Sequence, residues 1–209
     1  DTDVAITFNE VLVPGLCPDS YTLERTWTAV DNCGNETEQT QIVTVGDSAP
    51  PVLSGVPGDV MVECDNIPST PAIGIDITAT DDCDTDVTIV FNEDTAPGSC
   101  PDEYTITREW IATDNCGNEG TGVQVITVID TTDPELFGVP ADETVACDEV
   151  PVVPEIGTDI TATDNCDTDV VITFNENVIP GLCPDSYTLT REWTATDNCG
   201  NAVTQTQTV

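Results

Sequence analysis

The chain contains no lysine and no histidine, and its only cations are Arg25, Arg108 and Arg191. Set against 40 Asp plus Glu, these leave a formal charge of −37. A surface of that sign repels phosphate backbones and anionic lipid, which excludes nucleic acid and argues against direct membrane insertion. Ten cysteines occur without a CxxC pair and without histidine, which makes them poor zinc ligands. No apolar run approaches the roughly 18 residues of a membrane span, and no signal peptide is present. The missing signal carries little weight, because the chain opens in mid-repeat, as if cut from a longer array. Aromatic residues make up 5%. High net charge often means disorder, but here Val, Ile and Thr alternate in strand patterns and the cysteines keep fixed spacings.

One motif organises what is present. Tyr21–Cys33, Tyr104–Cys116 and Tyr187–Cys199 each read Y-T-[LI]-x-R-x-W-x-A-x-D-N-C, followed by Gly-Asn. All the tyrosines, tryptophans and arginines of the chain lie in these copies. With period 2, Tyr104, Ile106, Arg108, Trp110 and Ala112 share one face, and Thr105, Thr107, Glu109 and Ile111 share the other. That pattern predicts a long strand with one face in a core. The residues expected to form the structural core are therefore Tyr104, Arg108 and Trp110, with Tyr187, Arg191 and Trp193. Each arginine sits in the inward row, where a guanidinium needs a carboxylate or an aromatic face. Glu93 is one candidate for Arg108, and stacking on Tyr104 or Trp110 is the other.

The motif belongs to a longer period. Phe8, Phe91 and Phe174 recur every 83 residues, as do Cys17, Cys100 and Cys183, and Cys33, Cys116 and Cys199. Cys64 with Cys147, and Cys83 with Cys166, keep the same interval. The expected domains are 1–46 as a partial repeat, 47–129 as a complete one and 130–209 as a nearly complete one. Pro- and Asp-bearing stretches at 46–51 and 130–134 form the short linkers between them. Within the central copy, 59–64 reads as a first strand, and Ile75, Ile77 and Ala79 as the inward row of a second. Val87, Ile89 and Phe91 form the inward row of a third, the Tyr-Arg-Trp strand follows, and 123–129 is the last. No helical period occurs. The expectation is an all-β chain of tandem Ig-like β-sandwich modules in a linear array.

Evenly spaced cysteines in an acidic β-rich chain point to disulfides and an oxidising, extracellular setting. If strands alternate in direction, Cys64 and Cys100 lie at one end of a sandwich, and Cys83 and Cys116 at the other. Cys100 and Cys116 flank a strand of about 11 residues, some 35 Å long, and cannot meet. The expected bridges are Cys64–Cys100, Cys83–Cys116, Cys147–Cys183 and Cys166–Cys199, with sequential pairing as the alternative.

Carboxylates gather in loops. Asp81, Asp82, Asp84 and Asp86 surround Cys83, while Asp164, Asp167 and Asp169 surround Cys166. Asp114 and Asp197 follow the Tyr-Arg-Trp strands, and Asp47, Asp130 and Asp133 lie in the linkers. Several hard oxygen donors at a junction suit Ca²⁺, which takes about 6–8 of them. The alternative is that these residues cap turns and solvate the surface. Asn35-Glu36-Thr37 also forms an N-glycosylation sequon, and Asp47-Ser48-Ala49, Asp94-Thr95-Ala96 and Asp130-Thr131-Thr132 are similar to O-glycosylation sites of Bacteroidota.

The signatures A-T-D-[DN]-C, C-P-D-x-Y-T-[LI]-x-R-x-W-x-A-x-D-N-C-G-N and V-x-C-D-x-x-P resemble the four-cysteine HYR-like (hyalin-repeat-like) modules. Such modules occur in tandem in giant secreted surface proteins of Bacteroidota, adhesins among them. The resemblance spans essentially the whole chain. It implies an Ig-like fold, an extracellular or cell-surface place, and an adhesive or spacer role with no catalytic residues. The expected function is the structural repeat region of a surface filament, stalk or adhesin, with neighbouring repeats and other copies of the chain as partners. A half-repeat at the start can be completed by missing sequence or by a neighbouring chain's strand. A glycan- or ligand-binding module is the alternative, but it needs an exposed aromatic platform and every Trp lies on the predicted inward face. An enzyme is disfavoured by the lack of histidine and by near-identical copies.

Overall fold

The computed structural model describes residues 3–183 and 185–209. Among these, every regular element is a strand; no helix is long and apolar enough to cross a membrane. The chain forms two compact units. One comprises the residues up to Gly58, Thr70–Glu93 and Arg108–Gln124; the other comprises Asp59–Ser69, Asp94–Thr107 and Val125–Val209.

In the first unit, β1 (Val4–Pro14), β2 (Tyr21–Asp31) and β3 (Glu36–Val45) form an antiparallel sheet in chain order. Its register sets Phe8 opposite Trp27 and Glu10 opposite Arg25. The strand β4 (Val52–Ser54) pairs antiparallel with β6 (Thr78–Thr80). The strand β5 (Val60–Glu63) runs parallel to the end of β9 (Glu119–Ile129), from Val60 opposite Ile126 to Glu63 opposite Ile129. With β7 (Thr88–Pro97) and β8 (Tyr104–Thr113) the sheet order is β5-β9-β8-β7. A two-stranded sheet, β10 (Glu135–Phe137) with β11 (Thr161–Thr163), accompanies the sheet β12 (Val171–Pro180), β13 (Tyr187–Thr196) and β14 (Ala202–Thr208).

The Tyr-Arg-Trp strands carry the core. Along β13, Leu189, Arg191, Trp193 and Ala195 are buried and alternate with half-buried neighbours, the period of 2 that the sequence shows. Trp193 and Ala195 pack on Leu136 of β10 and on Ile160, which leads into β11. Two sheets thus close face to face on an apolar layer, a β-sandwich. Trp110 and Ala112 of β8 are equally buried, as is Ile77. Each Trp ring meets a Phe of the neighbouring strand in a tilted pair, Phe91–Trp110 at 5.3 Å and Phe174–Trp193 at 5.1 Å, geometry that adds about 1 kcal/mol to area burial. A further cluster joins Ile106, Ile126 and Val128 with Val62, Ile67 and Tyr104.

The buried arginines are paired across strands. Arg108 Nε donates to Glu93 at 2.8 Å, and Arg191 Nε donates to Glu176, the equivalent carboxylate, also at 2.8 Å. Arg191 Nη2 also donates to the Pro151 carbonyl at 2.8 Å.

Three local expectations are corrected. Ile75 is exposed rather than inward. The N–H groups of Asp76 and Ile77 donate to the Ala72 carbonyl, and the Asp76 carboxylate accepts the Ala72 N–H. That turn breaks the alternation, so Ile77 enters the core and regular pairing starts only at Thr78. The short strands β4 and β10 lie just after the linkers, where the sequence predicts no strand; each is too short to show a period. Tyr187 is 40% exposed, because the residues equivalent to β5, 143–146, form no strand beside β14. Tyr104 packs with Val62 and Ile67 against the cluster of Ile106, Ile126 and Val128; Tyr187 instead lines an open groove with Val150, Val152 and Val153.

The disulfides also differ from expectation. The bonds are Cys17–Cys116, Cys64–Cys166 and Cys100–Cys199, with Cα separations of 5.0, 5.8 and 5.1 Å. Cys64 therefore does not bond Cys100, Cys83 does not bond Cys116, and Cys166 does not bond Cys199. Cys147 and Cys183 are free rather than joined, as are Cys33 and Cys83. The reasoning from strand direction considered partners inside one repeat only. In the structure each bond joins two copies: Cys17 and Cys100 meet the cysteine that follows the next copy's Tyr-Arg-Trp strand, and Cys64 meets the loop cysteine of the next copy.

Candidate cation sites

Two groups of three aspartates converge, each inside one unit: Asp47, Asp81 and Asp114 in the first, and Asp130, Asp164 and Asp197 in the second. They are equivalent members of the repeat. Within each group one oxygen per residue lies within 4.8 Å of the others. Oxygens at the 2.3–2.6 Å of a calcium ligand shell sit no farther apart than about 5 Å.

The local sequence explains the aim of each carboxylate. Asp164 ends the A-T-D signature, and its Oδ1 accepts the N–H groups of Cys166 and Asp167 at 2.8 and 2.9 Å. Asp81 does the same for Cys83 and Asp84 at 2.9 and 3.0 Å. With one oxygen tied to the turn, the other is fixed in direction. Asp47 Oδ1 accepts from Ala49 N–H at 3.0 Å, and Asp130 Oδ1 from Thr132 N–H at 3.4 Å. In all four residues the second oxygen, Oδ2, is buried and has no donor. Asp114 and Asp197 follow the Tyr-Arg-Trp strands and hold their own turns. Asp197 accepts from the N–H groups of Cys199, Gly200 and Asn201, and from Asn201 Nδ2 at 2.8 Å.

Four buried carboxylate oxygens without donors conflict with the rule that buried polar atoms are satisfied. The electrostatics carry the same message. Desolvation pushes the Asp130 carboxyl above its ordinary range; Thr132 N–H partly offsets it, and Asp164, Asp197 and Glu63 add repulsion. At Asp114, desolvation also pulls upward, but hydrogen bonds from Asn118, Cys116 and Gly117 outweigh it and hold the carboxyl low. Partial desolvation, with Asp47, Asp81, Asp19 and Asp82 nearby, pushes the Cys83 thiol up. In each group two residues, Asp47 with Asp81 or Asp130 with Asp164, keep a buried oxygen without a donor, and hard oxygens of this kind are the donors a divalent cation takes.

The remaining acidic residues singled out in the sequence go elsewhere. Asp84 is buried, and its two oxygens accept from Asp86 N–H and Asn115 N–H, both at 2.8 Å. Asp167 does the same for Asp169 N–H and Asn198 N–H at 2.8 and 2.9 Å. Both serve as staples between a loop and the turn after a Tyr-Arg-Trp strand, not as open donors. Asp82, Asp86, Asp133 and Asp169 are exposed and outside the two groups. A third group, Glu63, Asp130 and Cys166, offers no thiolate, because Cys166 is bonded to Cys64.

Sequence reasoning missed one set of contacts. Asp19 accepts from Asn115 Nδ2 at 2.7 Å, and its equivalent Asp102 accepts from Asn198 Nδ2 at 2.6 Å. Each lies beside a copy-to-copy disulfide. The signal was the invariant Asp of C-P-D-x-Y within this chain, which no strand or turn requires.

No family model matches the chain, and no curated protein matches it. Solved structures that align with it include cadherin ectodomains. Drosophila N-cadherin EC1-4 is 13% identical and takes in 100% of this chain and 66% of that one, with a TM-score of 0.34. The Protocadherin GammaB4 extracellular domain is 15% identical over 100% and 42%, with a TM-score of 0.36. Human CDH23 EC21-23 is 16% identical over 98% and 88%, with a TM-score of 0.33. The chain spans 66% of the length of the first two cadherin structures it aligns with.

Proposed function

We propose that this chain is part of an extracellular, non-enzymatic tandem-repeat array, of the HYR-like kind, whose repeat junctions bind calcium and serve as the stiffened stem of a surface filament or adhesin. The observation that carries the reading is the pair of equivalent aspartate triads, each with buried oxygens that lack donors. One member of each triad lies in a linker, Asp47 or Asp130, and the other two lie in the following copy. A cation there ties the linker to the copy it introduces. The repeat boundaries that fit are 1–46, 47–129 and 130–209. Disulfides between copies suit an oxidising exterior, and the net charge of −37 keeps long arrays apart. A glycan-binding platform is disfavoured by the full burial of Trp110 and Trp193.

Calcium titration of the EDTA-stripped chain by calorimetry, followed by thermal unfolding with and without the metal, tests the reading. The expected result is about two sites per chain and a melting temperature that rises with calcium, by RT ln(1 + [L]/Kd) in free energy for each site. Absence of binding heat together with an unchanged melting temperature overturns it.

A further inference from the structure

Every disulfide in this structure follows one rule. Cys17 and Cys100, each just ahead of a Tyr-Arg-Trp strand, bond the cysteine just after the next copy's Tyr-Arg-Trp strand, 99 residues on. Cys64, at the end of β5, bonds Cys166 in the loop of the next copy, 102 residues on. None closes inside a copy. Applied to the four free and exposed cysteines, Cys33, Cys83, Cys147 and Cys183, the rule gives each a definite partner. Cys183 is equivalent to Cys100 and Cys147 to Cys64, so both reach for a following copy. Cys33 is equivalent to Cys199 and Cys83 to Cys166, so both reach for a preceding one.

An independent observation points to the same partner. On the sheet β1-β2-β3, Trp27 is 38% exposed and Phe8 55%, whereas the equivalent Trp193 is 0% exposed beneath Leu136 and Ile160. The uncovered face is the one on which a β10–β11 layer sits elsewhere in this chain. A first half of the repeat supplies that layer, and in this repeat the same half ends in the Val-x-Cys-Asp cysteine that Cys83 requires.

We infer that Cys33, Cys83, Cys147 and Cys183 are open half-bonds to further copies of this repeat, so that successive copies are laced by two staggered disulfides at each junction. The identity of the partner rests on the repeat-array reading, but calcium binding can fail without touching it. Each bond forms by thiol–disulfide exchange with a small-molecule disulfide as oxidant. One thiolate attacks that disulfide and expels a thiol, and the second protein thiolate then displaces the other half. Two protein thiols become one disulfide, and the oxidant is reduced to two thiols. The further copy can lie in the same polypeptide or in another molecule.

The test compares the 209-residue chain with a chain extended after Val209 by a second, in-register run of residues 127–209. Both are folded in a glutathione redox buffer, alkylated and mapped by mass spectrometry of unreduced peptides. In the starting chain the expected result is alkylation at Cys33, Cys83, Cys147 and Cys183. In the extended chain, Cys147 and Cys183 bond the added copies of Cys166 and Cys199, and the added copies of Cys147 and Cys183 become the alkylated pair. Cys147→Ser with Cys183→Ser in that chain returns the added copies of Cys166 and Cys199 to alkylation. A Cys183–Cys33 link between two molecules of the starting chain supports the inference with another molecule as the source. A Cys147–Cys183 bond inside one copy, or an extended chain that leaves both alkylated, overturns it.

Discussion

Asp31 closes the turn between β2 and β3 with its carboxylate as well as its backbone. It accepts Asn35 Nδ2 and Asn35 N–H, both at 2.8 Å, and Cys33 N–H at 2.9 Å. The Asn35 side chain is the largest cause that holds its pKa below the ordinary value, ahead of the Asn35 backbone. A depressed carboxyl contributes stability that is present above the unfolded value, near 3.9, and is lost as pH falls through the folded value. The chain should lose stability below about pH 4. In Asp31→Asn that part of the acid loss should be absent, as thermal unfolding across pH 2–5 would show. The aspartate triads give a prediction with two signs. Asp164→Asn keeps the Oδ1 that accepts from Cys166 and Asp167 but removes one of three converging charges. Its melting temperature should rise in EDTA, through relief of repulsion, and calorimetry should show one calcium site fewer. A fall in EDTA would mean that the carboxylate is already satisfied without a cation.

At the scale of the element, turn backbones decide where short strands stop. Gly138 follows β10 with φ of +86°, and Gly55 follows β4 with φ of +87°. A Cβ on Gly138 would meet the Asp159 carbonyl oxygen, and one on Gly55 the Asp76 carbonyl oxygen. Gly138→Ala therefore incurs about 1–2 kcal/mol from the left-handed backbone, plus the displacement of the turn at Asp159. Unfolding in urea should show a lower midpoint, while the equally left-handed Gly200, with nothing near its Cβ position, should show only the backbone part on the same change. The core element has a larger stake. Trp193→Ala empties the space between β13 and the β10–β11 layer and should cost about 3–5 kcal/mol.

For the molecule as a whole, charge sets the balance. Forty acidic side chains face three arginines, and all three arginines are already paired, with Glu10, Glu93 and Glu176. The surplus repels itself, and compaction brings it closer. Raising NaCl from about 10 to 150 mM shortens the screening length from about 30 to 8 Å. The melting temperature in EDTA should climb over that range, as scanning calorimetry would measure. A flat response would mean that the acidic side chains lie too far apart for their repulsion to matter.

The sequence by itself determined the all-β class and the inward row of the Tyr-Arg-Trp strands, and it narrowed the partner of Arg108 to Glu93 or an aromatic face; the structure chose Glu93. Each of these readings follows from chemistry within one strand or between adjacent strands: alternation puts Trp110 and Arg108 on one face, and a buried guanidinium demands a carboxylate or an aromatic face. It also showed that Asp81, Asp114 and Asp130 belong to acidic loops. Only the tertiary structure decided which carboxylates converge, since turn hydrogen bonds spend both oxygens of Asp84 yet leave Asp81 Oδ2 free of donors. It likewise decided the disulfides. Cys64 and Cys100 each find a partner in the next copy, about a hundred residues on. Spacing within a repeat carries no information about how one copy abuts the next.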